Sequence, residues 1–268
     1  MASLLVRPTA PDSQGSVINV TPESAGWTHV GFRVHKLAKG QRLEASSDDQ
    51  EICLVLLSGR ANVVCGEHRF DDIGERMDIF EQIPPYAVYL PDHVSYSVEA
   101  TTDLELAVCA APGHGNHAPR LIVPDNIKQS TRGQGTNTRH VHDILPETEP
   151  ADSLLVVEVF TPAGNWSSYP PHKHDVDNLP QESLLEETYY HRINPEQGFA
   201  FQRVYTDDRS LDETMAVENG CCVLVPKGYH PVGASHGYSL YYLNVMAGPK
   251  RAWKFHTDPD HEWLMNAG

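Results

Sequence analysis

Apolar residues along this chain come in short runs broken by Gly, Pro and Asp. In the first half these are Glu51–Leu57 (EICLVLL), Ala61–Cys65 (ANVVC), Ala87–Leu90 (AVYL) and Leu104–Ala110 (LELAVCA). In the second half they are Leu154–Phe160 (LLVVEVF), Phe199–Tyr205 (FAFQRVY), Cys221–Val225 (CCVLV) and Ser239–Met246 (SLYYLNVM). Val, Leu, Tyr and Phe dominate these runs, and extended 3.6-residue periodicity is scarce, so they predict strands rather than helices. Many short strands at regular spacing predict an all-β protein of sandwich or barrel architecture.

Between Pro112 and Ala151 the text turns rich in Gly, Pro, Asn and Thr, which predicts a linker over 113–150. It leaves halves of similar strand content, an N-terminal barrel over 1–112 and a C-terminal barrel over 151–268. The halves echo each other weakly: VYLPDHVSY near residue 92 mirrors VLVPKGYHP near residue 228.

Composition narrows the function. The net charge of −16 repels nucleic acid and anionic lipid, so neither is an expected partner, although a small anion in a locally positive pocket is compatible. No apolar run approaches the ~18–20 residues of a membrane span. The opening MASLLVRPTAPDSQG lacks the pattern of a secretory signal, so the expected location is cytoplasmic. The five cysteines have no CxxC spacing and read as buried thiols.

The sharpest chemical signal is Gly164-NWSSYPP-His172-Lys173-His174-Asp175. Residues two apart in a strand project to one face, so His172 and His174 can aim two imidazoles at one point. Glu187, just before TYY, can add a carboxylate, and His230, in PKGYHP, a third imidazole. Such a set suits one divalent ion, and Zn, Mn, Fe, Co and Ni all remain open. Glu186 competes with Glu187 for the carboxylate position. His140-Val141-His142 has the same spacing without the following elements, and is read as non-ligating.

The order Gly, HxH, Glu and then Gly-x5-Pro-x-Gly before His resembles the two cupin motifs. There are departures: twelve residues separate His174 from Glu187, and Tyr229 alone separates Gly228 from His230. The longer blocks GNWSSYPPHKHD, LEETYYHRI, GFAFQRVYTDD, VLVPKGYHPV and GYSLYYLNVMAG resemble the 5-deoxy-glucuronate isomerase family of myo-inositol catabolism. The resemblance implies a bicupin, two β-barrel (jelly-roll) domains in tandem, and aldose–ketose isomerisation of 5-deoxy-D-glucuronate to 5-dehydro-2-deoxy-D-gluconate. The N-terminal barrel, which lacks an HxH, is expected to hold no metal.

Such a reaction needs a proton removed beside a carbonyl and the resulting charge stabilised. Candidate bases are Glu187, Glu186, Asp175, His191 and a metal-bound hydroxide. The substrate that the resemblance implies is a small anionic sugar acid, and Arg203, on the aromatic face of FAFQRVYT, is the candidate clamp for its carboxylate. Tyr229 and Tyr242 are candidate pocket hydroxyls, Trp166 a candidate wall and Asn244 a displaced motif asparagine. Lys173 is expected outside the pocket, and Lys227 at its mouth. A cupin dioxygenase and a non-catalytic sugar-binding bicupin are the alternative functions, and a homodimer is the expected assembly.

Replacing either His172 or His230 with Ala is expected to remove most bound metal and nearly all isomerase activity. Elemental analysis of the purified variants checks this, and full metal retention in both overturns the ligand set.

Overall fold

The structure, a computed structural model, describes residues 3–265. Strands account for most of the regular structure, and the one α-helix among the described residues is the four-residue Pro22–Ala25. The all-β expectation holds. The described residues form two compact units, one comprising 8–128 and 143–156, the other 3–7, 129–142 and 157–265.

The first unit stacks a six-stranded sheet against a four-stranded one. The six-stranded sheet runs Arg120–Ile122, Ala87–Leu90, Gln50–Ser58, Leu104–Pro112, Gly31–Leu37, Ser16–Val20. Its four-stranded partner runs Arg42–Ser46, Ser95–Ala100, Ala61–Cys65, His68–Ile73. Ile52, Leu54 and Leu56 from one sheet pack with Val63 and Val98 from the other. Alternation explains the four-stranded sheet: Ala61, Val63 and Cys65 are buried while Asn62 and Val64 are only partly so.

The second unit repeats this plan. Its large sheet runs Leu5–Val6, Cys222–Val225, Glu186–Asn194, Ser239–Ala247, Leu155–Thr161, Arg139–Leu145, Lys128–Arg132. Its small sheet runs Trp166–Ser167, Val232–Ala234, Phe199–Tyr205, Asp212–Glu218. Each unit is centred on an antiparallel pair of nine-residue strands, Gln50–Ser58 with Leu104–Pro112 and Glu186–Asn194 with Ser239–Ala247. The weak repeat in the text is thus a repeat of architecture.

The stretch 113–150 is not a linker. It contributes strands Arg120–Ile122, Lys128–Arg132 and Arg139–Leu145, two of them outermost in their sheets. An outermost strand buries little and can be polar, which is why composition made it look like connecting chain. The boundaries at 112 and 150 therefore differ from the observed units, whose edges fall at 128, 142 and 156.

Glu51 holds the returning chain in the first unit. Its carboxylate is fully buried and accepts hydrogen bonds from the backbone N–H groups of Asp152 (2.7 Å), Ser153 (2.6 Å) and Leu154 (2.5 Å). The Tyr89 hydroxyl donates a fourth at 2.6 Å. No helix among the described residues is long and apolar enough to cross a membrane.

A buried carboxylate bonded to this many donors is expensive to remove, because each donor is left unsatisfied. Glu51→Ala is expected to lower unfolding free energy by about 3–5 kcal/mol in denaturant titrations. A loss under about 1 kcal/mol, the worth of one ordinary hydrogen bond, contradicts the clamp.

Candidate metal centre

Strand Glu186–Asn194 builds the floor of the site. Glu187, Tyr189 and His191 share its inner face by the two-residue alternation of a strand. Antiparallel register sets His191 opposite Tyr242 and Tyr189 opposite Asn244, so four side chains of two strands face one interior. His230 enters from a turn that only glycine permits. Gly228 has φ +87°, and a Cβ there would lie 2.4 Å from the Tyr205 carbonyl oxygen. The Gly228 N–H donates to Asp175 Oδ2 at 2.8 Å and its carbonyl accepts from His230 Nδ1 at 2.8 Å, which aims the imidazole inward.

The ligand-type atoms of His174, Glu187 and His230 all lie within 4.8 Å of one another, and all three residues are buried. Glu187 Oε2 is 3.0 Å from His174 Nε2 and 3.2 Å from His230 Nε2. The Nδ1 atoms of His174 and His230 are spent on the backbone carbonyls of Leu185 (3.1 Å) and Gly228 (2.8 Å). A carbonyl only accepts, so both Nδ1 atoms carry the proton and both Nε2 atoms present lone pairs. Two lone pairs facing a carboxylate oxygen repel unless a cation stands between them. The buried His230 Nε2 finds no hydrogen-bond partner, which is how a metal-ligating nitrogen looks without its ion. The residues fit a divalent cation.

The titration behaviour agrees. Burial would raise the Glu187 carboxyl, but contact with His174 and His230 overrides it and holds the group at about 2. Burial works against charge on His174 as well, and Glu187 outweighs it, leaving the imidazole raised. A proton or a metal ion must fill this place, and a metal ion displaces the proton. His172 lines the same cavity and packs its ring 4.9 Å from that of His230. Its nitrogens lie outside the group of three, and burial with its two neighbouring imidazoles drives its pKa well down.

Residues 4–264 match the KduI/IolB family. The chain belongs to that family. It is 62% identical to the 5-deoxy-glucuronate isomerase of Geobacillus kaustophilus, over 100% of this chain and 97% of that protein. A crystal structure of an IolB-like protein from Salmonella typhimurium superposes with a TM-score of 0.96 at 54% identity, covering 98% of this chain and 100% of that one. The oxalate decarboxylase of Lactobacillus farciminis shares the fold alone, with TM-score 0.67 at 13% identity over 100% of this chain and 91% of that one.

In this KduI/IolB protein the other sequence candidates separate. Tyr242 faces the cavity, where its hydroxyl bonds Ser167 and, at 3.4 Å, Ser168. Asn244 lines the cavity too. Tyr229 does not: beside an inward His230 it points the other way, and its hydroxyl donates to Asp207 at 2.8 Å. Arg203 lies on the partly exposed outer face of its strand, in a two-pronged pair with Asp212 at 2.8 and 2.7 Å. Gln202, its inward neighbour, bonds His191 instead. Lys173 is buried in ion pairs with Asp175 (2.6 Å) and Glu182 (3.0 Å). Trp166 is 44% exposed and lines a separate hollow.

Sequence reasoning passed over Arg132, Arg139, Ser168, Tyr189 and Trp253, all of which line the cavity. Ser168 shares a 2.9 Å hydrogen bond with the Tyr189 hydroxyl, and burial raises the pKa of both Tyr189 and Tyr242, so both stay protonated donors at neutral pH.

His191, beneath the two tyrosines, is buried against Gln202 at 2.9 Å, and burial pulls its pKa to about 4. The unfolded chain therefore holds a proton on His191 between pH 6.5 and 4 that the native protein lacks. The stabilisation is complete above pH 6.5 and is lost as pH falls towards 4, amounting to about 3 kcal/mol. His191→Phe is expected to flatten the fall in unfolding free energy across this window, read by denaturant titration at several pH values. An unchanged slope refutes the assignment.

Proposed function

We propose that this chain isomerises 5-deoxy-D-glucuronate to 5-dehydro-2-deoxy-D-gluconate at a centre where His172, His174, Glu187 and His230 hold one divalent ion. The observation that carries the reading is the set of acceptor-only atoms around Glu187 Oε2, in a chain 62% identical along its whole length to a named 5-deoxy-glucuronate isomerase. The KduI/IolB family membership supports the same reaction class.

The reaction moves hydrogen from C2 to C1 and converts an aldehyde to a ketone. A divalent ion held here would polarise the carbonyl and balance the negative charge that develops on the two oxygens. The protein does the rest. The hydroxyls of Tyr189 and Tyr242, steadied by Ser168, face the cavity as donors to the substrate's oxygens. Val141, Val157 and Val159 form an apolar wall that keeps water from the reacting carbons.

Among the candidate bases, Glu187 alone lines the cavity. Asp175 is tied to Lys173 and the Gly228 N–H, His191 lies behind Tyr189 and Tyr242, and Glu186 projects to the opposite face of the strand. Proton transfer between C2 and C1 is assigned to Glu187: with Oε2 turned to His174 and His230 and holding the ion, its second carboxylate oxygen would serve the substrate, and the ion would acidify the C–H bond.

Chelation of the purified protein is expected to lower turnover of 5-deoxy-glucuronate by more than about 100-fold, restored by stoichiometric divalent metal, with no oxygen uptake. In D2O the product is expected to carry solvent deuterium at the former C1. Full activity in the chelated protein refutes the metal-assisted proton transfer.

A further inference from the structure

We propose that Arg139 anchors the carboxylate of the substrate, giving this site its selectivity for sugar acids over neutral sugars; the proposal rests on the isomerase reading. In a chain with net charge −16, exposed arginines find carboxylates readily: Arg203 pairs with Asp212, Arg69 with Asp71, Arg60 with Asp72. Arg139 is half-buried, yet among the described residues no carboxylate pairs with it. Its guanidinium donates from Nη1 to the Asn137 carbonyl at 3.1 Å and otherwise faces the cavity. A guanidinium carries five N–H donors in a planar fork, so most of its capacity is unspent.

Its surroundings favour an anion. Burial bears on the Arg139 charge first, and the positive charge of Arg132, which lines the same cavity, adds to the strain. A bound carboxylate relieves both. Among the described residues Glu187 is the one carboxylate lining that cavity, and it is engaged with His174 and His230.

Position supports the same role. The cavity at the cluster measures about 40 Å³, the room of one or two waters. A hollow of about 430 Å³, walled by Trp166, Tyr169 and Pro170, has the size of a small-molecule site. Arg139 is the one residue common to both linings among the described residues. Tyr189 and Tyr242 line the same cavity as Arg139, and the Tyr189 ring lies 5.6 Å from that of His230. Hydroxyl donors thus stand next to both guanidinium and cluster, as a chain with a carboxylate at one end, hydroxyls between and an aldehyde at the other requires.

The test uses the metal-loaded protein and two unreactive probes: the substrate with its aldehyde reduced to an alcohol, and the same molecule with a neutral amide in place of the carboxylate. Calorimetry on the unaltered protein is expected to show preference for the acid on the order of 100-fold. Arg139→Met should cut that preference to within about 3-fold while moving amide affinity by less than about 3-fold; Arg139→Lys, which keeps the charge and loses the fork, should retain about 10-fold. Full preference in Arg139→Met, or equal loss of both probes, overturns the proposal; should Arg139→Met fail to fold, undiminished preference in Arg139→Lys does so. Arg139-dependent acid binding without turnover of 5-deoxy-glucuronate upholds the anchor and refutes the isomerase reading. Turnover with no discrimination between the probes does the reverse.

Discussion

Everything at this site depends on three buried groups that present electron pairs to one another. Backbone carbonyls take the Nδ1 protons of His174 and His230, so the opposite nitrogens face Glu187 as acceptors. Lone pairs at this separation in a dry interior are stable only around positive charge. The surrounding architecture serves that convergence. The Gly228 turn aims His230, Lys173 is drawn away by Asp175 and Glu182, and the register of Glu186–Asn194 against Ser239–Ala247 puts the tyrosine hydroxyls alongside.

The two units show what one architectural position can become. Glu51 and Glu187 each stand second in a nine-residue central strand. Glu51 is surrounded by donors, three backbone N–H groups and a tyrosine hydroxyl, and its charge is satisfied within the fold. Glu187 is met by imidazole nitrogens whose protons have been taken elsewhere. The first carboxylate is structural because its lone pairs are filled; the second is chemically open because its neighbours are acceptors too.

Much of this was legible in the sequence. Short apolar runs with Gly and Pro between them are the direct consequence of two-layer β packing, and strand alternation put His172 and His174 on one side of Lys173. The order of the candidate residues pointed to His174, Glu187 and His230, which the structure brings together. What failed did so for local physical reasons. Arg203 looked like a substrate clamp because it shares a face with Phe199 and Phe201, but that is the outer face. Tyr229 was judged by its closeness to His230 in the text, whereas adjacent residues point apart. Arg139 was invisible because it follows directly on a Gly- and Asn-rich stretch that reads as connecting chain, although it opens the strand Arg139–Leu145. Neither the pinned Nδ1 atoms nor the missing carboxylate beside Arg139 can be read from a string of residues, since both are matters of what lies across space.

The most direct measurement of the central claim is X-ray diffraction from crystals of the purified protein at the absorption edge of its bound metal. The account predicts one anomalous peak per chain, about 2.0–2.2 Å from the Nε2 atoms of His174 and His230 and from a Glu187 carboxylate oxygen, with His172 completing the shell. A peak elsewhere, or a centre filled by a proton or water after metal has been supplied, would contradict it.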